Sequence, residues 1–284
     1  MKIKHLLCFI ALCLFFTPGK AQQLSVMTLR NGATVYIWED KSKPDVFGMI
    51  AFKVGSVDDP EQYTGLAHYL EHVMFKGTQT IDALDWEKEK PIYEKIIAKY
   101  DERAALSDPA AREAIDKEIN DLTREAAQYA AGNEFSLLVD HMGGQGLNAS
   151  TGYDQTEYHN SFPPSQLEKW LEIYSERLID PVFRGFQTEL EAVYEEYNMY
   201  NDDRGSRMRE FIYEQAFGDH PYARPIIGLP EHLKNPQLSK LIDFYNTWYG
   251  PQNMSIILVG NIDAKEAIPM IRDKFERVPR RAEI

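Results

Sequence analysis

Beyond residue 21 the sequence contains no cysteine; the two it has, Cys8 and Cys13, both fall in the first 21 residues. Disulfides are thereby excluded from the rest of the chain, which must be held by a hydrophobic core and by metal if there is one. Basic residues are also short, 31 Lys and Arg against 44 Asp and Glu, for a formal net charge of −13. Phosphate backbones are bound chiefly by Lys and Arg, so this balance argues against a nucleic-acid binder. Long apolar runs are missing too. The run from Leu6 to Phe16 is too short for an ordinary membrane span, and no other stretch could cross a bilayer.

That short run has meaning in its setting. Lys2, Lys4 and His5 precede it, and Thr17-Pro18-Gly19-Lys20-Ala21 follows with small residues at Gly19 and Ala21. This is the three-part form of a secretory signal peptide over residues 1–21, with cleavage expected after Ala21. The mature protein is then exported, periplasmic or secreted, with no membrane attachment; a retained anchor is the competing reading. Loss of Lys2, Lys4 and Lys20 takes the charge to −16. Cys13 follows Leu12 rather than a small residue, which speaks against lipid attachment.

The remaining chain is long for one domain and short for three. Val26–Leu29 and Thr34–Trp38 predict a hairpin about Arg30-Asn31-Gly32, and Val46–Val54 is apolar enough for a strand covered on both faces. Residues 82–131 change character, rich in Lys, Glu and Ala. Ile115, Ile119, Leu122, Ala126 and Tyr129 recur at four-three spacing, and Ile92, Ile96, Ile97 and Tyr100 precede them across a turn at Ser107-Asp108-Pro109. The pattern predicts a helical hairpin with a solvated charged face. A helix at 135–142, a strand hairpin at 146–162, helices at 167–178, 187–201, 208–217 and 238–249, a strand at 255–259 and a helix at 264–275 complete the reading.

The chemistry concentrates in His68-Tyr69-Leu70-Glu71-His72. Four residues apart on a helix, the two imidazoles share a face and can reach one ion. Glu71 falls where it could contact a water on that ion without ligating it. Thr64 is placed to cap this helix and Gly77 to stop it. Two histidines need a third partner. His141, His159, His220 and His232 each stand isolated in the sequence, whereas the acidic helix at 187–201 carries Glu189 and Glu196 seven apart on one face. One of these carboxylates could face the metal and the other support it. Four glutamates on one helix also fit a solvated surface stripe.

The segment Gly65–Gly77 resembles the active-site helix of the pitrilysin/insulinase family of zinc metallopeptidases, which includes the mitochondrial processing peptidase. The resemblance extends, in the family's order, through Val54-Gly55-Ser56, Gly143-Gly144, Leu147-Asn148-Ala149-Ser150-Thr151, the acidic helix, Ala223–Gly228, Tyr249–Met254 and Val259-Gly260-Asn261. It implies one Zn2+ held by His68, His72 and Glu196, with Glu71 as general base, Glu189 as a supporting carboxylate and Asn148, Ala149 and Ser150 on a strand that receives substrate by edge pairing. It implies an α+β fold, a largely antiparallel mixed sheet covered by helices on one side (the LuxS/mitochondrial processing peptidase-like metallohydrolase fold), over a catalytic domain at 22–279. The function implied is a metalloendopeptidase acting on peptides or unfolded polypeptides. Two features depart from the family's pattern. Glu196 lies 124 positions after His72, longer than usual, and the 82–131 hairpin accounts for the excess as an insertion that can loop out. The family's working unit also pairs the active half with a similar inactive one, and no second copy of the pattern occurs here; residues 280–284 read as the start of a linker or a tail. A homologous inactive half or partner subunit is therefore expected, and a non-catalytic, chaperone-like subunit of the same family is the alternative function.

Overall fold

Residues 23–281 are described by the structure, a computed structural model; the expected signal peptide lies outside the described residues. The strands are β1 (Gln23–Thr28), β2 (Thr34–Glu39), β3 (Val46–Phe52), β4 (Gln145–Thr151), β5 (Thr156–Phe162) and β6 (Met254–Gly260). The helices are α1 (Leu66–Val73), α2 (Trp86–Ala105), α3 (Pro109–Ala126), α4 (Glu134–His141), α5 (Leu167–Glu176), α6 (Phe186–Asp202), α7 (Arg204–Phe217), the single turn α8 (Pro230–Leu233), α9 (Leu238–Trp248) and α10 (Ala264–Phe275).

The six strands form one mixed sheet in the order β1-β2-β6-β3-β5-β4. Every neighbouring pair is antiparallel except β2 with β6. Period-two alternation sends Val35, Ile37, Val46, Ile50, Phe52, Tyr158, Phe162, Ile256 and Leu258 to a buried face, where helices cover them. β3 is not covered on both faces as its composition suggests: its residues alternate buried and half-buried. Phe47, Met49, Trp38 and Val259 instead line an outer face that no described helix closes, so a continuous apolar run here marks a partly bare sheet rather than a sandwiched strand.

On the covered face, Trp170 of α5 lies against β3 at Gly48, where a methyl group would come within 2.5 Å of the indole. The same indole stacks on Phe162 and Tyr174 at 5.2 and 4.2 Å, and both its N–H and the Tyr174 hydroxyl donate to the buried Asn160 side chain, at 2.8 and 2.7 Å. A buried amide is thus satisfied by the aromatic groups that pack on it.

The predicted hairpin forms as α2 and α3, with Asp108 accepting N–H groups at the start of α3 and Pro109 in its first turn. Ile92, Ile96, Tyr100, Ile115, Ile119 and Ala126 make the buried seam. The hairpin does not stand clear of the domain: Tyr93 and Tyr100 reach the segment that leads into α6.

Candidate metal centre

α1 begins with a capping arrangement that local sequence does not reveal. Thr64 is the expected cap, but its hydroxyl lies 2.8 Å from His232 Nδ1 and accepts from the Leu229 amide. The cap is Asp59, whose carboxylate accepts the N–H groups of Gly65 and Ala67 at 2.7 and 2.9 Å. The loop between passes Gly65 at φ 89°, where a methyl group would sit 2.5 Å from the Ile227 carbonyl oxygen; only glycine suits both demands. The Ala223–Gly228 segment thereby packs directly on the start of the metal-site helix. Burial of Asp59 lifts its carboxyl to about 7, against the pull of those two N–H groups and of Arg224. The helix ends at Val73, short of Gly77, which turns the following loop at φ 87°.

His68 and His72 emerge on one face, ring centroids 4.9 Å apart. Glu196 of α6 comes to them: its Oε2 lies 3.5 Å from His68 Nε2 and 3.7 Å from His72 Nε2. One ligand atom from each of the three falls within 4.8 Å of the others, a spacing open to a single metal ion. Two imidazole nitrogens and a carboxylate oxygen with a remaining open side are the donor set of a catalytic zinc site. Glu189 takes the other side of His72, 3.4 Å from Nδ1, and its second oxygen lies 2.5 Å from Lys76 Nζ. The two glutamates seven positions apart thus meet His72 on different sides: Glu196 faces the two Nε2 atoms, and Glu189 meets Nδ1.

The electrostatics set the two histidines apart. Burial, with His72 beside it, lowers the His68 pKa to about 3, so that imidazole is neutral and ready to ligate. For His72, burial pulls downward but the Glu189 contact and the charges of Glu196 and Glu71 outweigh it, so its pKa is raised. Burial acts to raise Glu189 as well, but His72 and Lys76 hold it below the usual carboxylate range. His68 Nδ1 is buried with no hydrogen-bond partner among the described residues. Glu71 stands beside the cluster, raised chiefly by burial, and accepts a 2.6 Å hydrogen bond from Thr151 at the end of β4.

These groups open on a cavity of about 510 Å³ lined by α1, β4, α6, α7 and the 225–227 segment. Asn148, Ala149 and Ser150 all line it. The register separates them: Ala149 and Thr151 pair with the inward-facing Tyr158 and Thr156, whereas Asn148 and Ser150 pair with His159 and Glu157 on the outer face. His159 itself packs on Phe47, His220 accepts the Tyr222 amide, and His232 serves Thr64; none of these belongs to the cluster. Sequence reasoning passes over Asp59, Thr151, Lys76 and Arg177. The Arg177 guanidinium is fully buried, donates to the Met74 carbonyl at the end of α1 and lies 4.4 to 4.8 Å from the rings of Phe135, Tyr158 and Phe75. Of those passed over, only Lys76 and Thr151 fall within segments that carry the family resemblance, Gly65–Gly77 and Leu147–Thr151.

The profile of insulinase (peptidase family M16) matches residues 34–90 and 122–229, and that of the peptidase M16 inactive domain matches 237–283. The second match contributes β6, which lies between β2 and β3 in this same sheet. The probable zinc protease PqqL of Escherichia coli strain K12 is 25% identical over 270 residues, 91% of this chain and 23% of that protein. The solved first half of the periplasmic protease PqqL from Escherichia coli superposes with a TM-score of 0.69 at 25% identity, covering 93% of this chain and 48% of that one. A protease from Helicobacter pylori, 22% identical, shares the fold with a TM-score of 0.71, covering 93% of this chain and 52% of that one. This chain spans less than half the length of the curated relatives it matches, and about a quarter in the PqqL case. Among the described residues no helix is long and apolar enough to cross a membrane.

Proposed function

Because the chain belongs to the insulinase family, peptidase family M16, we propose that it is the zinc-binding, catalytic part of a metalloendopeptidase that cleaves peptides or unfolded polypeptides. The observation that carries this reading is the convergence of His68 Nε2, His72 Nε2 and Glu196 Oε2 beside a half-buried Glu71, at the floor of an open cavity. His68, His72 and Glu196 would hold the zinc, which would supply a Lewis acid able to acidify water and polarise a peptide carbonyl. Glu71 is the general base. Its carboxylate takes the proton of the attacking water and returns it to the leaving amide nitrogen. Thr151 fixes the carboxylate by occupying Oε2, which leaves Oε1 for the proton. Glu189 keeps His72 turned toward the ion, and Lys76 keeps Glu189 in place.

The substrate lies along β4. As the last strand of the sheet it offers an unpaired edge, and its residues 148–151 border the cavity, so an extended peptide can add as a further strand within reach of Glu71. Asn148, Ala149 and Ser150 hold it there. A second, inactive half or a partner subunit closes the chamber. Met208, Phe211 and Ile212 of α7, more than half exposed beside the cavity, are apolar surface suited to such a cover. Export to the periplasm or beyond follows from the leader over residues 1–21, and cleavage after Ala21 releases the domain from the membrane.

The test is hydrolysis of an unstructured fluorogenic peptide by the zinc-loaded chain, alone and with a candidate inactive half. Cleavage should stop on chelation and return with zinc. Cleavage that persists in chelator would overturn the zinc mechanism, and zinc-loaded protein inert with every partner supplied would favour the non-catalytic subunit.

A further inference from the structure

The insulinase profile leaves residues 91–121 unmatched, so most of α2 and α3 is an addition to the matched fold. The addition packs on the route to the third metal ligand. α6 starts at Phe186, and three contacts from α2 converge on the residues around that start. Glu89 receives a two-pronged pair from Arg184, Nε and Nη2 at 2.6 and 2.8 Å, with the carboxylate almost fully buried. The Tyr93 hydroxyl accepts the Phe183 amide at 3.3 Å. Tyr100 sets its ring edge-on to Phe186, centroids 4.8 Å apart, and donates to Gln187 Oε1. Glu89 belongs to the matched stretch; Tyr93 and Tyr100 belong to the addition.

The same junction touches the other metal helix. Arg184 Nη1 donates to the carbonyl of Lys76, just past α1, and Lys76 in turn holds Glu189. From the α1 side, Tyr69 donates to the Phe186 carbonyl and lays its ring 4.7 Å from the Phe186 ring. Phe186 is therefore clamped between an aromatic ring of the histidine helix and one of the added hairpin. Glu196 lies ten residues further on, about 15 Å along the axis, so a tilt of roughly 5° at the clamp moves its carboxylate by about 1.3 Å. Metal–ligand distances tolerate only about 0.2 Å.

We propose that the α2–α3 hairpin is a positioning element for the metal site: by clamping Phe186 through Tyr100, it sets the angle of α6 and hence the place of Glu196 against His68 and His72. Tyr100 touches neither metal nor substrate and acts through the helix start. The proposal rests on the zinc assignment made above, and its test separates the two.

Zinc affinity of the full chain is measured by competition with a chromophoric chelator, alongside the visible absorption of the cobalt-substituted protein. The variants are Tyr100→Leu, which keeps an apolar filler but loses the clamp, Tyr100→Phe, which keeps the ring, and Ile271→Ala, which loosens the core at α10 away from the site. His72→Ala marks loss of the site itself. Tyr100→Leu should weaken zinc roughly tenfold or more and alter the cobalt bands, as loss of a supporting contact typically does. Tyr100→Phe should restore affinity to within about threefold, and Ile271→Ala should lower the melting temperature while leaving affinity unchanged. Wild-type protein that takes up no zinc, or takes it up equally after His72→Ala, would overturn the site assignment and the proposal together. Zinc lost in His72→Ala but unchanged in Tyr100→Leu would overturn the positioning role alone, as would equal weakening by Ile271→Ala.

Discussion

The roles proposed for Glu189 and Glu196 predict a ratio of zinc affinities. Replace each in turn by Gln, which preserves volume and an acceptor oxygen but removes the charge. Glu196 Oε2 lies between the two Nε2 atoms, so its loss leaves two protein ligands of three. Four-ligand structural zinc sites bind with roughly 10–16 kcal/mol, so one ligand is worth about 3 kcal/mol, on the order of two-hundredfold in affinity. Glu189 contacts the opposite nitrogen of His72 and cannot face the same ion. In Glu189→Gln the single amide oxygen can still accept from His72 Nδ1, while the NH2 group takes the place of the oxygen that met Lys76, so the charge and the Lys76 contact are lost. The expected weakening is near the lower end of the tenfold to hundredfold typical of supporting residues, about 1.4 kcal/mol. Chelator competition at fixed pH reads both, and the expected gap between the variants is at least tenfold. Equal losses, or a larger loss for Glu189→Gln, would refute the assignment of Glu196 as ligand.

Glu71→Gln should bind zinc like the wild type while peptide hydrolysis falls by about 10²–10⁴, measured by metal analysis and a fluorogenic assay on the same preparation. Asp59 should make stability depend on pH. Its folded pKa is raised above the ordinary value, so the folded chain holds an extra proton between about pH 4 and 7, and the stabilisation present below that window is lost as pH rises through it. Denaturant midpoints of wild type and Asp59→Asn should diverge across that interval, with the wild type falling; parallel curves would contradict the raised pKa. Gly48→Ala forces a methyl group onto Trp170 and should cost about 2–3 kcal/mol, a drop of roughly 5–10 °C in melting temperature, with β3 still paired.

What the sequence disclosed and what it hid divide by range. The helical seam of Ile115, Ile119 and Ala126, the alternation of β5 and the i, i+4 histidines are local periodicities, and each reappears as an element within a few residues of its expected bounds. The acidic helix was legible by its own pattern, but spacing left Glu189 and Glu196 open and only the family resemblance singled out Glu196, which the fold brings to His68 and His72. Asp59 was not, since it caps α1 across a loop of irregular backbone while Thr64, better placed in sequence, turns to His232. Glu89 and Arg184 are 95 positions apart, and nothing in the pattern of either segment announces the other. Composition alone also misjudged β3: alternation of burial depends on which face receives helices, and that is decided by the topology.

The strand order carries a consequence for how the protein comes to be. β6, the last strand among the described residues, lies between β2 and β3, two of the first. Until residues 254–260 are available, the early strands lack their common neighbour, and β1–β2 and β3–β5–β4 are separate ribbons with unpaired edges. Closure joins segments about 200 positions apart, a contact of high sequence separation that makes folding slow and leaves sticky intermediates. His68, His72 and Glu196, all made earlier, belong to a completed sheet only when that late strand slots home. Maturation of the site is thus timed by its most distant support, and a chain halted before residue 254 should be protease-sensitive however much zinc is supplied.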